Sequence, residues 1–195
     1  MCFLPLMRLQ KNTSAFYKEY RMLKDKIIQA ASEAGYDEYR EISSEDIIFS
    51  ADVFGQCEKN ICGNYGKNYT CPPHSGTMEE NKARFLAYGN GIILNKLLFL
   101  GDRYELMAEC GKEFGRLLEE MREKLKDEPV MIAGAGGCRL CDECAALTDE
   151  PCRFPDQRRY SMEGSGMDIV SMSRKLEMTY NGGNKTVGYF SLIMY

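Results

Sequence analysis

Two long segments carry apolar residues at helical spacing. From Ser14 to Ala34 they recur every three or four positions, and Gly35 follows where a helix would end. A second and clearer stripe predicts a helix from Arg103 to Lys126 with one buried face. That face is predicted to contain Met107, Cys110, Phe114, Leu117, Leu118, Met121 and Leu125.

Strand patterns lie before and after the second helix. In Asp46–Phe54, apolar residues fall on one face, which predicts a strand; they are Ile47, Phe49, Ala51 and Val53. Gly91–Leu100 and Pro129–Ala133 are apolar runs typical of buried strands. Leu176–Tyr180 and Thr186–Tyr195, joined by a glycine-containing loop, are predicted to form a C-terminal hairpin.

The order of these elements predicts the fold class. Thr77 and Glu80 form a capping box for a further helix running to Gly89, and a short helix is expected at residues 167–175. A strand, a long helix and a second strand with short links are typical of a right-handed βαβ unit. The chain is therefore predicted to be an α/β protein. It would form a single domain with a mixed sheet, a βαβ unit, a C-terminal hairpin and cysteine-rich metal-binding loops.

Length and charge limit the domain organisation and the function classes. The 195 residues suit one domain with a real core. Residues 1–21 are interpreted as an N-terminal extension that includes the start of the first helix, and residues 22–195 as a single cysteine-rich metal-binding domain. The net charge of −4 argues against nucleic-acid binding, which usually needs a basic excess. With no membrane-spanning run and no secretory signal in the opening residues, a cytoplasmic protein without membrane binding is expected.

Nine cysteines are the main clue to function. Their odd number and the missing export signal argue against a disulfide framework, because intracellular thiols stay reduced. His74 is the only histidine, which argues against histidine-based metal sites and against a hydrolase with a histidine base. Cys110 lies on the apolar helix stripe and is assigned to the core. Any metal must therefore be held mainly by the sulfur of other cysteines.

The strongest motif is Cys138-Arg-Leu-Cys141-Asp-Glu-Cys144, followed by Cys152. Two residues between successive cysteines let one loop present each sulfur to a different iron of a cluster. Zinc sites more often use separated Cys-x2-Cys pairs. The spacing therefore favours an iron–sulfur cluster of the [4Fe–4S] type, with zinc or plain reduced thiols as the alternatives.

Three glycines precede this motif at the end of a predicted strand. Sites in open α/β sheets collect at the carboxyl ends of strands. The backbone amides of Gly134, Gly136 and Gly137 are predicted to approach the cluster sulfides closely, as cofactor-binding positions. Their spacing matches neither the dinucleotide-binding nor the P-loop pattern.

Cys57, Cys62 and Cys71 form a second group. Pro72 follows Cys71, as in the remote cluster ligand of bacterial ferredoxins, and the helix predicted after Thr77 would favour a thiolate or an anionic cluster. In one arrangement, the four cysteines of the main motif hold one cluster, and these three hold a second cluster that has one open iron. Alternatively, Cys71 completes the Cys-x2-Cys-x2-Cys run. The spacing does not choose between one and two clusters.

Arginines and acidic residues alternate around the Cys138–Cys152 motif. Arg139, Arg153, Arg158 and Arg159 are interleaved with five acidic residues, so a solvated rim is one interpretation. The other is that some arginines face the anionic cluster or a small anionic ligand. The expected partners are therefore such a ligand or a redox protein.

The two cysteine groups together resemble the predicted metal-binding protein family called domain of unknown function 2284. The matching stretches are Cys57…Cys62-Gly-Asn-Tyr65-Gly66…Cys71-Pro72-Pro73, Gly137-Cys138…Cys141…Cys144…Cys152-Arg153-Phe154-Pro155 and Ser161-Met-Glu163…Gly166-Met167-Asp168. The resemblance covers about residues 22 to 195 and includes all seven motif cysteines. It implies metal binding by those cysteines and no particular reaction.

Two functions of different classes follow from these observations. The first is an iron–sulfur protein with an electron-transfer or redox role, in which Cys138, Cys141, Cys144 and Cys152 hold one cluster. The second is a zinc-stapled interaction module without catalysis. An enzyme that uses an open iron is a third hypothesis, and the sequence selects no substrate.

Overall fold

The computed structural model describes residues 13–101, 106–183 and 185–195, which form five α-helices and one five-stranded sheet. The helices are α1 (Thr13–Ala34), α2 (Ala51–Gln56), α3 (Met78–Leu86), α4 (Leu106–Lys124) and α5 (Ile169–Lys175). The strands are β1 (Glu38–Ser43), β2 (Asn90–Phe99), β3 (Met131–Gly134), β4 (Tyr160–Ser161) and β5 (Thr186–Met194). Short 3₁₀ turns occur at Ser44–Asp46, Cys57–Lys59, Ala145–Thr148, Pro155–Gln157 and Glu163–Ser165.

The sheet is mixed and has the strand order β1-β2-β5-β3-β4. β5 pairs antiparallel with both β2 and β3, so β2 and β3 run in the same direction with β5 between them. Because α4 connects β2 to β3, the predicted βαβ unit is confirmed. β4 pairs parallel with β3, and the two strands therefore end at the same edge of the sheet.

The core has two sides because side chains alternate along β2. Ile92 and Leu94 pack with α1 and α4 on one face. Ile93 packs on the other face, where α3, α5 and the segment around Met162 cover the sheet. The stripe of α4 is confirmed where it is described, and Cys110 is buried in it, as predicted. The cysteine loops therefore connect to a well-packed sheet.

Several further predictions agree with the structure. α1 ends at Ala34 and the backbone of Gly35 is left-handed, as a helix stop requires. Thr77 and Glu80 form both bonds of the capping box that opens α3, although α3 ends at Leu86 rather than Gly89. The start of the second long helix at Arg103 lies outside the described residues, as does the side chain of Met107.

The predicted strand Asp46–Phe54 is wrong. Ser50 accepts a hydrogen bond from the backbone of Val53 and opens α2, so the second half of the segment is helical. Only Phe49 keeps a strand-like contact, a single bridge to Met167. The apolar residues that suggested one strand belong to two different elements. Phe49 lies in the bridge, and Ala51 and Val53 lie in α2.

The strand that pairs with β2 on the side away from β5 is β1, which lies just before this segment. It occupies the edge of the sheet, and its burial pattern leaves Tyr39, Arg40 and Glu41 exposed. An edge strand with one buried residue, Ile42, lacks the alternation that would identify it.

The C-terminal hairpin is confirmed in its second strand, β5. The predicted first strand, Leu176–Tyr180, is wrong, because these residues form no strand. The chain there meets β5 only through one antiparallel bridge between Asn181 and Val187 and a backbone hydrogen bond that Gly188 donates to Tyr180. None of the helices in the described ranges combines the length and apolar character needed to cross a bilayer.

Candidate metal centre

The main cysteine motif lies between two strands that end at the same sheet edge. β3 ends at Gly134, and the loop of residues 135–159 returns the chain to β4. Parallel pairing matches Gly134 with Ser161, so the loop begins at the carboxyl end of β3, as predicted. Residues 135–144 contain no helix or strand, and they leave the backbone free to wrap around a ligand.

All four cysteines of this motif are free of disulfide bonds and half-buried. Cys138 follows the glycines directly, and Cys144 precedes the 3₁₀ turn Ala145–Thr148. Cys141 lies between them, and Cys152 lies beyond the turn. The loop therefore supplies four sulfur donors with partial shielding from water.

The first cysteine loop presents its three thiols in different environments. Cys57 is half-buried in the 3₁₀ turn that follows α2, and Cys62 is exposed. Cys71 is buried, with 5% of its surface exposed, and it is followed by a cis peptide bond between Pro72 and Pro73.

The two loops are joined by hydrogen bonds. The hydroxyl of Thr70 accepts the backbone N–H of Cys138 at 2.9 Å and donates to Asn68 Oδ1 at 2.8 Å. The Tyr69 hydroxyl donates to the carbonyl oxygen of Glu150 at 2.6 Å. Since Thr70 precedes Cys71, these bonds bring the first loop against the start and the end of the second.

Glu163 belongs to the same region and was not predicted as a site residue. Its 3₁₀ turn packs on α2, next to Cys57, and Gly164 in that turn approaches Pro72. Burial raises the pKa of the Glu163 carboxyl, although the hydrogen bonds that it accepts from Ser161 and the Gly136 amide act to lower that pKa. The matching stretch Ser161-Met-Glu163 already held this residue, but sequence separation hid its place near the first loop.

The thiols of the first loop influence one another. Burial, then the charge of Cys62 and of Glu163, raises the pKa of Cys57. Burial, together with the charges of Cys62, Cys57 and Glu163, raises the pKa of Cys71 to about 11, and a hydrogen bond with Asn68 acts in the opposite direction. The three thiols and the carboxylate therefore lie within electrostatic range, and a bound cation would offset the repulsion between their anionic forms.

Two arginines meet the second loop. Burial alone would lower the pKa of the Arg158 guanidinium, but hydrogen bonding to Cys152 and the charges of Tyr160 and Cys152 raise it above its usual value. Burial lowers the pKa of Arg159, which donates to Glu119 and to the carbonyl oxygen of Gly137 and is attracted by Cys138. Arg153 instead donates to the backbone oxygen of Glu143 and is exposed.

The three predicted glycines have visible packing roles. A methyl group on Gly134 would lie 2.7 Å from Leu118 of α4, and one on Gly137 would lie 2.5 Å from the side-chain nitrogen of Asn68. Gly136 has a left-handed backbone, with φ of 77°. These positions let the strand pack on α4 and the two loops approach closely; the approach of their amides to a cluster stays a prediction.

The fit to a metal is chemical rather than geometric. Within the described ranges, no three Cys, His, Asp or Glu side chains are grouped so that they could hold a metal ion. The donors nevertheless suit a sulfur-bound centre, because seven free thiols lie on two hydrogen-bonded loops. His74 is exposed and bonds to the carbonyl oxygen of Gly66. Metal binding would therefore require the thiols of these loops to move closer together.

Comparison with known families adds one finding. A family model described as "Predicted metal-binding protein (DUF2284)" matches residues 40–195, which include both cysteine groups and Glu163. No curated protein and no solved structure matches the chain.

Proposed function

Because this chain belongs to the DUF2284 family of predicted metal-binding proteins, we propose that it binds an iron–sulfur cluster and has a redox or electron-transfer role. One observation carries the proposal. Cys138, Cys141 and Cys144 are spaced by two residues on an irregular loop that starts where β3 ends, and all three thiols are half-buried. This spacing suits a cluster, in which successive sulfurs meet different irons.

The surrounding residues support an anionic centre. A bound [4Fe–4S] cluster would supply one-electron transfer at this sheet edge. Arg158 contacts Cys152, and Arg159 is attracted by Cys138, so each places positive charge beside a proposed ligand. Positive charge and partial burial both influence the reduction potential of a cluster.

A second centre is proposed on the first loop. Cys57, Cys62 and Cys71 interact with one another and with Glu163, whereas Cys138 and Cys152 interact with arginines. The first loop therefore offers three thiols and one carboxylate, which would serve as the fourth donor that its three cysteines lack. The proposed role is cytoplasmic, where clustered thiols stay reduced, and a redox protein is the proposed electron partner.

The test is anaerobic purification followed by analysis of iron, acid-labile sulfide and zinc. The proposal expects a brown protein with iron and sulfide and a visible absorption that dithionite bleaches. Cys141→Ser should lose most of the iron of the main centre. Cys110→Ser, a change of the same chemistry in the core, should retain it. A colourless protein with stoichiometric zinc would overturn the cluster and favour the zinc-stapled module.

The second centre has its own measurement. Cys57→Ser should lower the iron and sulfide content while leaving the signal of the main centre in the electron paramagnetic resonance spectrum of the reduced protein. If the iron content of Cys57→Ser is unchanged, the proposal of a second centre is refuted, and the proposal of the main centre is unaffected.

A further inference from the structure

A polar cavity of about 580 Å³ lies beside the main cysteine loop. It is bounded by the end of α4, the start of β3 and residues 155–160, and its size is within the usual range for small-molecule sites. The cations that line it are Arg84, Arg122, Lys126, Arg158 and Arg159.

Some of these cations already have a carboxylate partner. Arg122 and Arg159 both pair with Glu119, and Lys126 pairs with Glu123. Arg84 and Arg158 differ, because neither forms an ion pair with a carboxylate of the described residues. Arg84 donates to Asn81 and to the carbonyl oxygen of Ser75, both neutral groups. The guanidinium of Arg158 lies 5.3 Å from the ring centre of Tyr69.

Arg84 and Arg158 converge on one tyrosine. The guanidinium carbon of Arg84 lies 4.3 Å from the ring centre of Tyr160, and Arg158 interacts electrostatically with the same side chain. The Nε–H groups of Arg158 and of its neighbour Arg159 are buried and meet no hydrogen-bond acceptor among the described residues. Buried donors normally have a partner, so the wall formed by these two arginines is short of acceptor oxygens.

We propose that this cavity binds a small molecule carrying a carboxylate or phosphate group, held between Arg84 and Arg158 beside Tyr160. The planar guanidinium fork matches both oxyanions with paired N–H bonds. Two arginines without carboxylate partners provide the charge, and the tyrosine hydroxyl adds a neutral donor. Asp156 also lines the cavity and has no cation within ion-pair distance in the described part of the chain. Its charge therefore opposes the anion.

The position of Arg158 connects the cavity with the main cysteine loop. The same guanidinium that faces the cavity contacts Cys152, so a bound anion would lie next to a proposed cluster ligand. That connection rests on the proposed function, whereas the anion site itself depends only on the arginines and the tyrosine.

Isothermal titration calorimetry of the full anaerobic chain, with inorganic phosphate and with succinate as probes, tests the site. Arg84→Gln and Arg158→Gln should each weaken binding by about tenfold or more, because each removes charge-assisted hydrogen bonds. Asp156→Asn should tighten binding, and it changes only an exposed side chain, so it remains informative if an arginine variant folds poorly. Arg174→Gln removes the same charge from an exposed position outside the cavity and should leave binding unchanged.

The outcomes separate the anion site from the cluster. Saturable binding of phosphate alone assigns a phosphate ligand and binding of succinate alone a carboxylate; either supports the site. Absence of saturable binding by both probes overturns it, as does an Arg174→Gln variant that weakens binding as much as Arg84→Gln. Iron and sulfide content, measured on the same samples, reports on the proposed function independently.

Discussion

Thr70 joins the two cysteine loops, and Thr70→Val tests whether that connection stabilises the fold. The side chain is fully buried. Its hydroxyl accepts the N–H of Cys138 and donates to Asn68, so it connects the first loop to the first residue of the main motif. Valine has nearly the same shape, so the substitution removes the hydrogen bonds without opening a cavity.

The expected magnitude follows from what each partner retains. Asn68 Oδ1 keeps the hydrogen bond from the Thr70 backbone N–H at 3.0 Å. The N–H of Cys138 loses its acceptor, and a buried donor left without one costs about 1–3 kcal/mol. We therefore expect the free energy of unfolding to fall by about 2 kcal/mol. For a chain of this size, the corresponding fall in Tm is about 4–8 °C.

Urea unfolding of the reduced, anaerobic protein, followed by circular dichroism, measures the change. Thr70→Ser is the matched control, since it keeps the hydroxyl and loses only one methyl group, worth about 0.8 kcal/mol. The reasoning fails if Thr70→Val unfolds at the wild-type midpoint, or if Thr70→Ser loses as much stability as Thr70→Val.

Three further predictions concern the same region. In metal-free protein at neutral pH, iodoacetamide should modify exposed Cys62 faster than Cys71, because burial raises the Cys71 pKa to about 11 and leaves little thiolate; peptide mass spectrometry would reveal equal rates as a contradiction. Gly137→Ala should lower the free energy of unfolding by about 1–3 kcal/mol, since its methyl group would lie 2.5 Å from Asn68; a wild-type urea midpoint would argue against this. Ser50→Ala should lower it by about 1 kcal/mol through loss of the α2 cap, and no change would count against the helical assignment.

The sequence predicts the elements whose buried faces repeat over many residues. α4 has a stripe long enough to exclude a strand, and β2 is a nearly continuous apolar run buried on both faces. The segment 46–54 is short, so its alternation fits a strand as well as a bridge followed by a helix. The cap at Ser50 and the packing of Phe49 against Met167 decide the outcome, and both depend on residues outside the segment.

For the candidate site, the sequence predicts the metal ligands but not the residues that surround them. Spacing alone predicts which thiols share a loop, because Cys138, Cys141 and Cys144 are close in the chain. It does not predict that Arg158 contacts Cys152 or that Glu163 lies near Cys71. Those neighbours depend on how the chain returns from the loop into β4.

The pairing of β4 with β3 is therefore the step on which the site depends. β4 has only two residues, Tyr160 and Ser161, and no periodic pattern of its own. Arg158 and Glu163 flank it on either side, so fixing these two residues beside β3 places a guanidinium near one cysteine loop and a carboxylate near the other. Each residue also touches the opposite loop, because Arg158 lies 5.3 Å from the ring centre of Tyr69 and Glu163 accepts a hydrogen bond from the Gly136 amide. One short strand therefore brings a guanidinium and a carboxylate to the place where the two cysteine loops meet.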